Sequence, residues 1–231
     1  MDSLTRSRTF YRWLFYIIGS ILLAMGIALN TKSGLGMAPI LSIMFCVSQI
    51  FGLDFSNLTL AYYIFLVLAQ FVIKGKKYAH KRDLLEVPLA LVFTRFIALF
   101  SGIFDFQPTA LWQNLLILAA AVVVTGIGLT MMVNMNLVPN PGDGIVQAIS
   151  ERFNLKLGTA KNLFDGGSAL IAVILSLTLR GKLIGIGLGT VINVLCVGRV
   201  VAIFSYFCRD KIMFLAFGEE RKEKAAEGAK A

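Results

Sequence analysis

Two arginines, Arg95 and Arg199, stand inside otherwise apolar stretches, and one carboxylate, Asp143, stands among prolines and glycines in Asn140-Pro141-Gly142-Asp143-Gly144. A charge at hydrocarbon depth costs on the order of 2.5–3.5 kcal/mol on insertion scales, so each must be paired or used. Two guanidinium groups brought together would make a cationic site for an anionic or zwitterionic solute. The alternative is that they are struts, bonded to Asp143, Asp165, Glu86 or freed carbonyls. Asp143 reads as a ligand for a coupling H+ or Na+, with Asn140 adding a further ligand or a turn, or else as the cap of a short helix beginning at Gly144. Asn162 and Asp165, three residues apart, share a helix face. With Lys161 they either line a pathway, Asn162 as a solute contact and Asp165 as a second coupling-ion ligand, or form a solvated face. Asn193 lies in an apolar run as a solute contact or as an interhelical hydrogen bond.

The elements that position these residues follow from composition. Of 231 residues, 57% are hydrophobic and 15% charged, too little charge to cover a soluble surface of this size. The apolar residues form blocks, and a span needs roughly 20 of them. The expected fold class is therefore an all-α membrane protein embedded in a lipid bilayer. The net charge of +9 resides in the N-terminal stub, in a loop at residues 74–82 and beyond residue 208. That placement fits cytoplasmic flanks, so no nucleic-acid partner is expected. Cys46, Cys196 and Cys208 lack paired spacing, and the single histidine, His80, lies in the basic loop. No metal site or other cofactor is expected. The apolar run from Trp13, behind Arg6, Arg8 and Arg12, reads as a retained first helix rather than a cleaved leader.

Candidate segments run at about 12–30, 36–52, 57–74, 84–104, 111–134, 138–155, 158–180 and 183–207. If all eight crossed, the loop with Lys74, Lys76, Lys77, Lys81 and Arg82 would emerge on the side opposite the arginine-rich N-terminus, against the charge rule. Treating 36–52 and 138–155 as re-entrant removes the conflict and leaves six crossings, with both termini cytoplasmic and residues 105–110 external. Only Arg180 and Lys182 then fall on the wrong side.

The two halves also repeat. Pro39 lies 102 residues before Pro141, and Phe51-Gly52-Leu53 lies 102 before Phe153-Asn154-Leu155; Met25-Gly26-Ile27 aligns with Ile127-Gly128-Leu129. At an offset of 104, Thr94-Arg95-Phe96 aligns with Gly198-Arg199-Val200. Three crossings per half make the second copy inverted, a build recurrent in secondary transporters. The expected organisation is a stub (1–11), a first repeat (12–104), an external loop (105–110), a second repeat (111–207) and a tail (208–231).

Gly34-Leu35-Gly36-Met37-Ala38-Pro39, Asn140-Pro141-Gly142-Asp143-Gly144 and Gly185-Ile186-Gly187-Leu188-Gly189-Thr190 resemble the YczE/YitT-like family of bacterial integral membrane proteins, most closely its YczE side. The likeness covers about residues 10–207. It implies a multi-pass protein of the bacterial cell membrane with a transporter-like build, in which a proline is followed two residues later by an acid. Pro141-Gly142-Asp143 keeps that pattern, whereas Pro39-Ile40-Leu41 departs from it, so any carboxylate mechanism is one-sided.

The expected function is a secondary carrier or permease for a small anionic or zwitterionic solute. The alternatives are a substrate-capturing membrane subunit of an energy-coupling-factor importer, which needs partner ATPases, and a non-transporting accessory protein. A homo-oligomer is compatible with each. An enzyme is not expected, since neither HExxH nor GxSxG is present.

Overall fold

The computed structural model describes residues 2–78, 81–106 and 108–218. Eight α-helices follow in order: α1 (Asp2–Ser33), α2 (Pro39–Phe51), α3 (Phe55–Tyr78), α4 (Glu86–Ile103), α5 (Leu111–Asn134), α6 (Pro141–Phe153), α7 (Leu157–Arg180) and α8 (Leu188–Phe217). A 3-10 turn, Lys81–Leu85, leads into α4, and no strand occurs among the described residues. Six helices contain stretches long and apolar enough to cross a membrane, while α2 and α6, at 13 residues each, do not. The large apolar side chains of the six long helices, such as Leu68, Leu116, Leu170, Val194 and Ile203, are widely exposed. Lipid is the solvent that suits such a surface.

The repeat is exact in register. The starts of α2 and α6, of α3 and α7, and of α4 and α8 all lie 102 residues apart. The chain reverses after α2 through Gly52 (φ 67) and after α6 through Asn154 (φ 50), in each case with the cap N–H bonded back to a serine carbonyl, Ser48 or Ser150. The same serines donate their hydroxyls to Leu53 and Leu155 carbonyls at 2.7 Å. Packing then exchanges the halves: α2 lies on α7, and α6 lies on α3. The first helices of the halves, α1 and α5, form the central crossing. There a Cβ on Gly19 would stand 2.8 Å from the Gly128 carbonyl oxygen, and one on Gly128 would stand 2.7 Å from the Gly19 oxygen. Only glycine permits that backbone approach.

Several expectations need correction at the level of elements. Asp143 does not cap a helix that begins at Gly144. Instead α6 begins at Pro141, capped by Asn140, because proline is well tolerated at the first helical position, where its missing N–H costs nothing. The last helix continues ten residues past the expected boundary at 207, to Phe217, with Ile212 and Ala216 buried against the bundle. Finally, the common register of 102 pairs Arg95 with Val197, so Arg95 and Arg199 are not repeat equivalents.

Candidate functional site at the start of α6

The two short helices enter the bundle differently. Before α2, the chain is sealed by backbone pairing with the loop between α7 and α8: Met37 N–H donates to Gly185 O at 2.9 Å, and Gly189 N–H to Leu35 O at 2.7 Å. A Cβ at Gly187 or Gly189 would collide with the Leu35 carbonyl, so this joint has no free volume. Next to it the Cys46 thiol lies 3.1 Å from Ser176 Oγ, fully buried.

The approach to α6 is held by side chains instead. Arg12 donates to Met135 O at 3.1 Å and the Tyr16 hydroxyl to Val138 O at 3.0 Å, both from α1. The Gln70 amide of α3 donates to Pro141 O at 3.3 Å and to Glu86 Oε2 at 2.8 Å. Gln70 and Glu86 are both wholly buried. Glu86 Oε1 and Gln70 Oε1 have no hydrogen-bond partner. Both oxygens lie within 3 Å of where a Cβ on Gly144 would stand, so the glycine lets the α6 backbone rest directly on the pair. One turn along α3, Lys74 bonds Asp83 at 3.0 Å, both nearly buried, and this ion pair ties the end of α3 to the turn that starts α4. Lys74 is thus a structural cation rather than part of a solvated basic loop. The rest of that cluster, Lys76 to Arg82 with His80, lies outside the described side chains.

At the same place a cavity of about 300 Å³ opens between α1, α4, α5 and the Pro139–Pro141 segment. Its wall is largely apolar, with Phe93, Phe96 and Met132 prominent, and Asn140, Ser20 and Tyr16 contribute the polar atoms. Pro141 borders the cavity and gives its carbonyl to Gln70, so the buried pair is one residue removed from the cavity.

The residues expected from sequence are distributed as follows. Asn140 is the α6 cap and lines the cavity. Asp143 is half-buried on the α7 side of α6, with Lys161 and Asp165 as its charged neighbours and Tyr63 beside it. Asp165 pairs with Lys161 at 3.5 Å, and Asn162 is exposed. Asn193 is buried but bonds Gly189 O at 2.8 Å within its own helix, which is neither a solute contact nor an interhelical bond. Arg95 and Arg199 are both exposed and neither lines the cavity. Arg95 donates to Asn57 Oδ1 of α3 at 2.8 Å. The cationic site expected from the two arginines is therefore not assembled, because they project from the outside of α4 and α8. Arg180, on the wrong side by charge, donates to Ile50 O at 2.7 Å and so satisfies the open end of α2. The sequence reading reaches Glu86 only as an arginine partner and does not reach Gln70. The signal was present: Gln70, Lys74, Asp83 and Glu86 are polar groups at the facing ends of two apolar segments, and Gln70 and Lys74 share a helix face.

Among known proteins, a family model described as a family of unknown function, DUF6198, matches residues 10–206. An uncharacterized protein of Haemophilus influenzae is 25% identical over 187 residues, which span 79% of this chain and 78% of the relative. No solved structure matches the chain.

Proposed function

The chain belongs to DUF6198, a family that brings no assigned activity, and from the site itself we propose that it is a secondary carrier for a small solute. The observation that supports this most is the cavity at the start of α6, bordered by helices of both halves and adjoining a buried carboxyl. Short helices that enter without crossing, set in an inverted repeat, are where carriers place their binding sites. The likeness to YczE/YitT-like proteins points the same way. A largely apolar wall, whose polar side chains Tyr16, Ser20 and Asn140 already have partners within the protein, suits a compact, mainly apolar solute. It suits the anionic or zwitterionic solute less, since no arginine lines the cavity. In this reading both termini face the cytoplasm of a bacterial cell, and Asp143, Asp165 and Lys161 stand at the cytoplasmic entrance between α6 and α7.

The test is uptake from a mixed pool of small metabolites into proteoliposomes, read by mass spectrometry of the lumen. Enrichment over empty liposomes supports the carrier. A subunit of an energy-coupling importer would show none by itself and would co-purify with ATPases.

A further inference from the structure

We propose that Glu86 is a proton-binding site that couples proton movement to the carrier. The inference deepens the carrier reading and rests on it for the word coupling; proton binding itself stands apart. Three observations carry it. The carboxyl is wholly buried, one oxygen is held by Gln70, and the other is aimed at the Gly144 backbone with no partner. A buried carboxylate with an unpartnered oxygen is costly, and a single proton removes that cost by making it a neutral acid. The proton would bind Oε1, leaving the Gln70 bond to Oε2 in place.

The repeat supplies the second argument. The positions 102 residues on from Gln70, Lys74, Asp83 and Glu86 are Ala172, Ser176, Gly185 and Leu188. The equivalent joint at α2 therefore holds the small residues Ala172, Ser176 and Gly185, with Leu188 exposed, and is closed by backbone hydrogen bonds. A purely structural role for the polar set would apply equally to both joints, yet only the joint beside the cavity has it.

The surroundings favour a proton over a metal cation. Two unpartnered oxygens, Glu86 Oε1 and Gln70 Oε1, are too few to replace the six or so ligands of a hard cation, and the α6 backbone fills the space before them. The charged and titratable groups facing Glu86 are Lys74 from α3, Asp83 from the turn before α4, Asp143 from α6 and the Tyr16 hydroxyl from α1. Lys74 is already committed to Asp83, so the nearest cation does not neutralise Glu86 directly.

The experiment is infrared spectroscopy of the reconstituted protein across pH, following the carbonyl band of protonated carboxylic acids, and it needs no solute. At a pH where exposed carboxylates are ionised, the wild type is expected to show a band that shifts on heavy-carbon labelling of glutamate carboxyls, disappears in Glu86→Gln and persists in Glu151→Gln, whose side chain is exposed. Should Glu86→Gln fail to fold, Glu86→Asp is expected to move the band rather than abolish it. A wild-type spectrum without a labelled glutamic-acid band at that pH, or with one that survives in Glu86→Gln, overturns the proposal. So does a band that Na+ replaces at constant pH, which would make the site a cation site. Failure of solute uptake with this band present would count against the carrier and leave the proton site standing.

Discussion

The carboxyl of Glu86 rests on the backbone of Gly144: a Cβ added to that glycine would stand 2.9 Å from Glu86 Oε1 and 2.8 Å from both terminal atoms of Gln70. This contact joins the first turn of α6, from the second half, to α3 and α4 of the first. Gly144→Ala should therefore destabilise the fold by about 1–3 kcal/mol, the usual cost of overpacking. Gly166→Ala, in the exposed middle of α7 with open space around it, should be neutral or stabilise by up to about 1 kcal/mol. Thermal unfolding in detergent separates the two, and equal midpoints for both would mean that the Gly144 contact is loose.

Glu86→Gln retains the shape of a protonated acid and its Gln70 partner, so its thermal midpoint should stay near wild type. Glu86→Ala removes the shorter of the Gln70 amide's two hydrogen bonds and leaves it only the 3.3 Å bond to Pro141 O in a buried site, at a cost of about 1–3 kcal/mol. A midpoint as low for the glutamine variant as for the alanine one would contradict a neutral acid at this position.

Arg95→Lys and Arg199→Lys should leave solute uptake unchanged, because both side chains lie outside the cavity. Arg95 exchanges one exposed hydrogen bond to Asn57, so its stability should shift by less than about 1 kcal/mol. Loss of uptake at normal yield in either variant would restore the cationic site.

Thiol reagents should modify Cys196 and Cys208, both partly exposed, well before Cys46, which is buried against Ser176. Rapid modification of Cys46 in the folded protein would show that the joint at α2 opens.

Much of this architecture was legible because membrane helices are written in long apolar blocks, and because basic residues disfavour an eight-span count. The 102-residue register was legible from Pro39 and Pro141, whose fixed φ marks each helix start. What the one-dimensional pattern hides is direction around a helix. Arg95 and Arg199 sit in apolar runs, and nothing in those runs tells that both face outward. The aligned arginines also misled by two residues, since two apolar helices can be matched at several offsets. Asp143 stands out in the sequence by its proline-glycine setting. Glu86 was hidden because its burial comes from α6, about 58 residues further along the chain, packing Gly144 over it.

The orientation of the bundle is open to single-cysteine labelling in a Cys-free background. Sites at Lys76–Lys81 should react only from the cytoplasmic side and sites at Gln107–Ala110 only from outside, as six crossings require. External labelling near Lys77 would instead give eight spans, with α2 and α6 crossing.

The central claim is that the cavity at α6 carries a solute whose movement is coupled to protons at Glu86. Its most direct test is lumenal accumulation of a transported metabolite in proteoliposomes under an imposed pH gradient, for wild type and Glu86→Gln side by side. The account predicts gradient-dependent accumulation by the wild type, and in Glu86→Gln exchange of the same solute without accumulation. Undiminished gradient-driven accumulation in Glu86→Gln would contradict it.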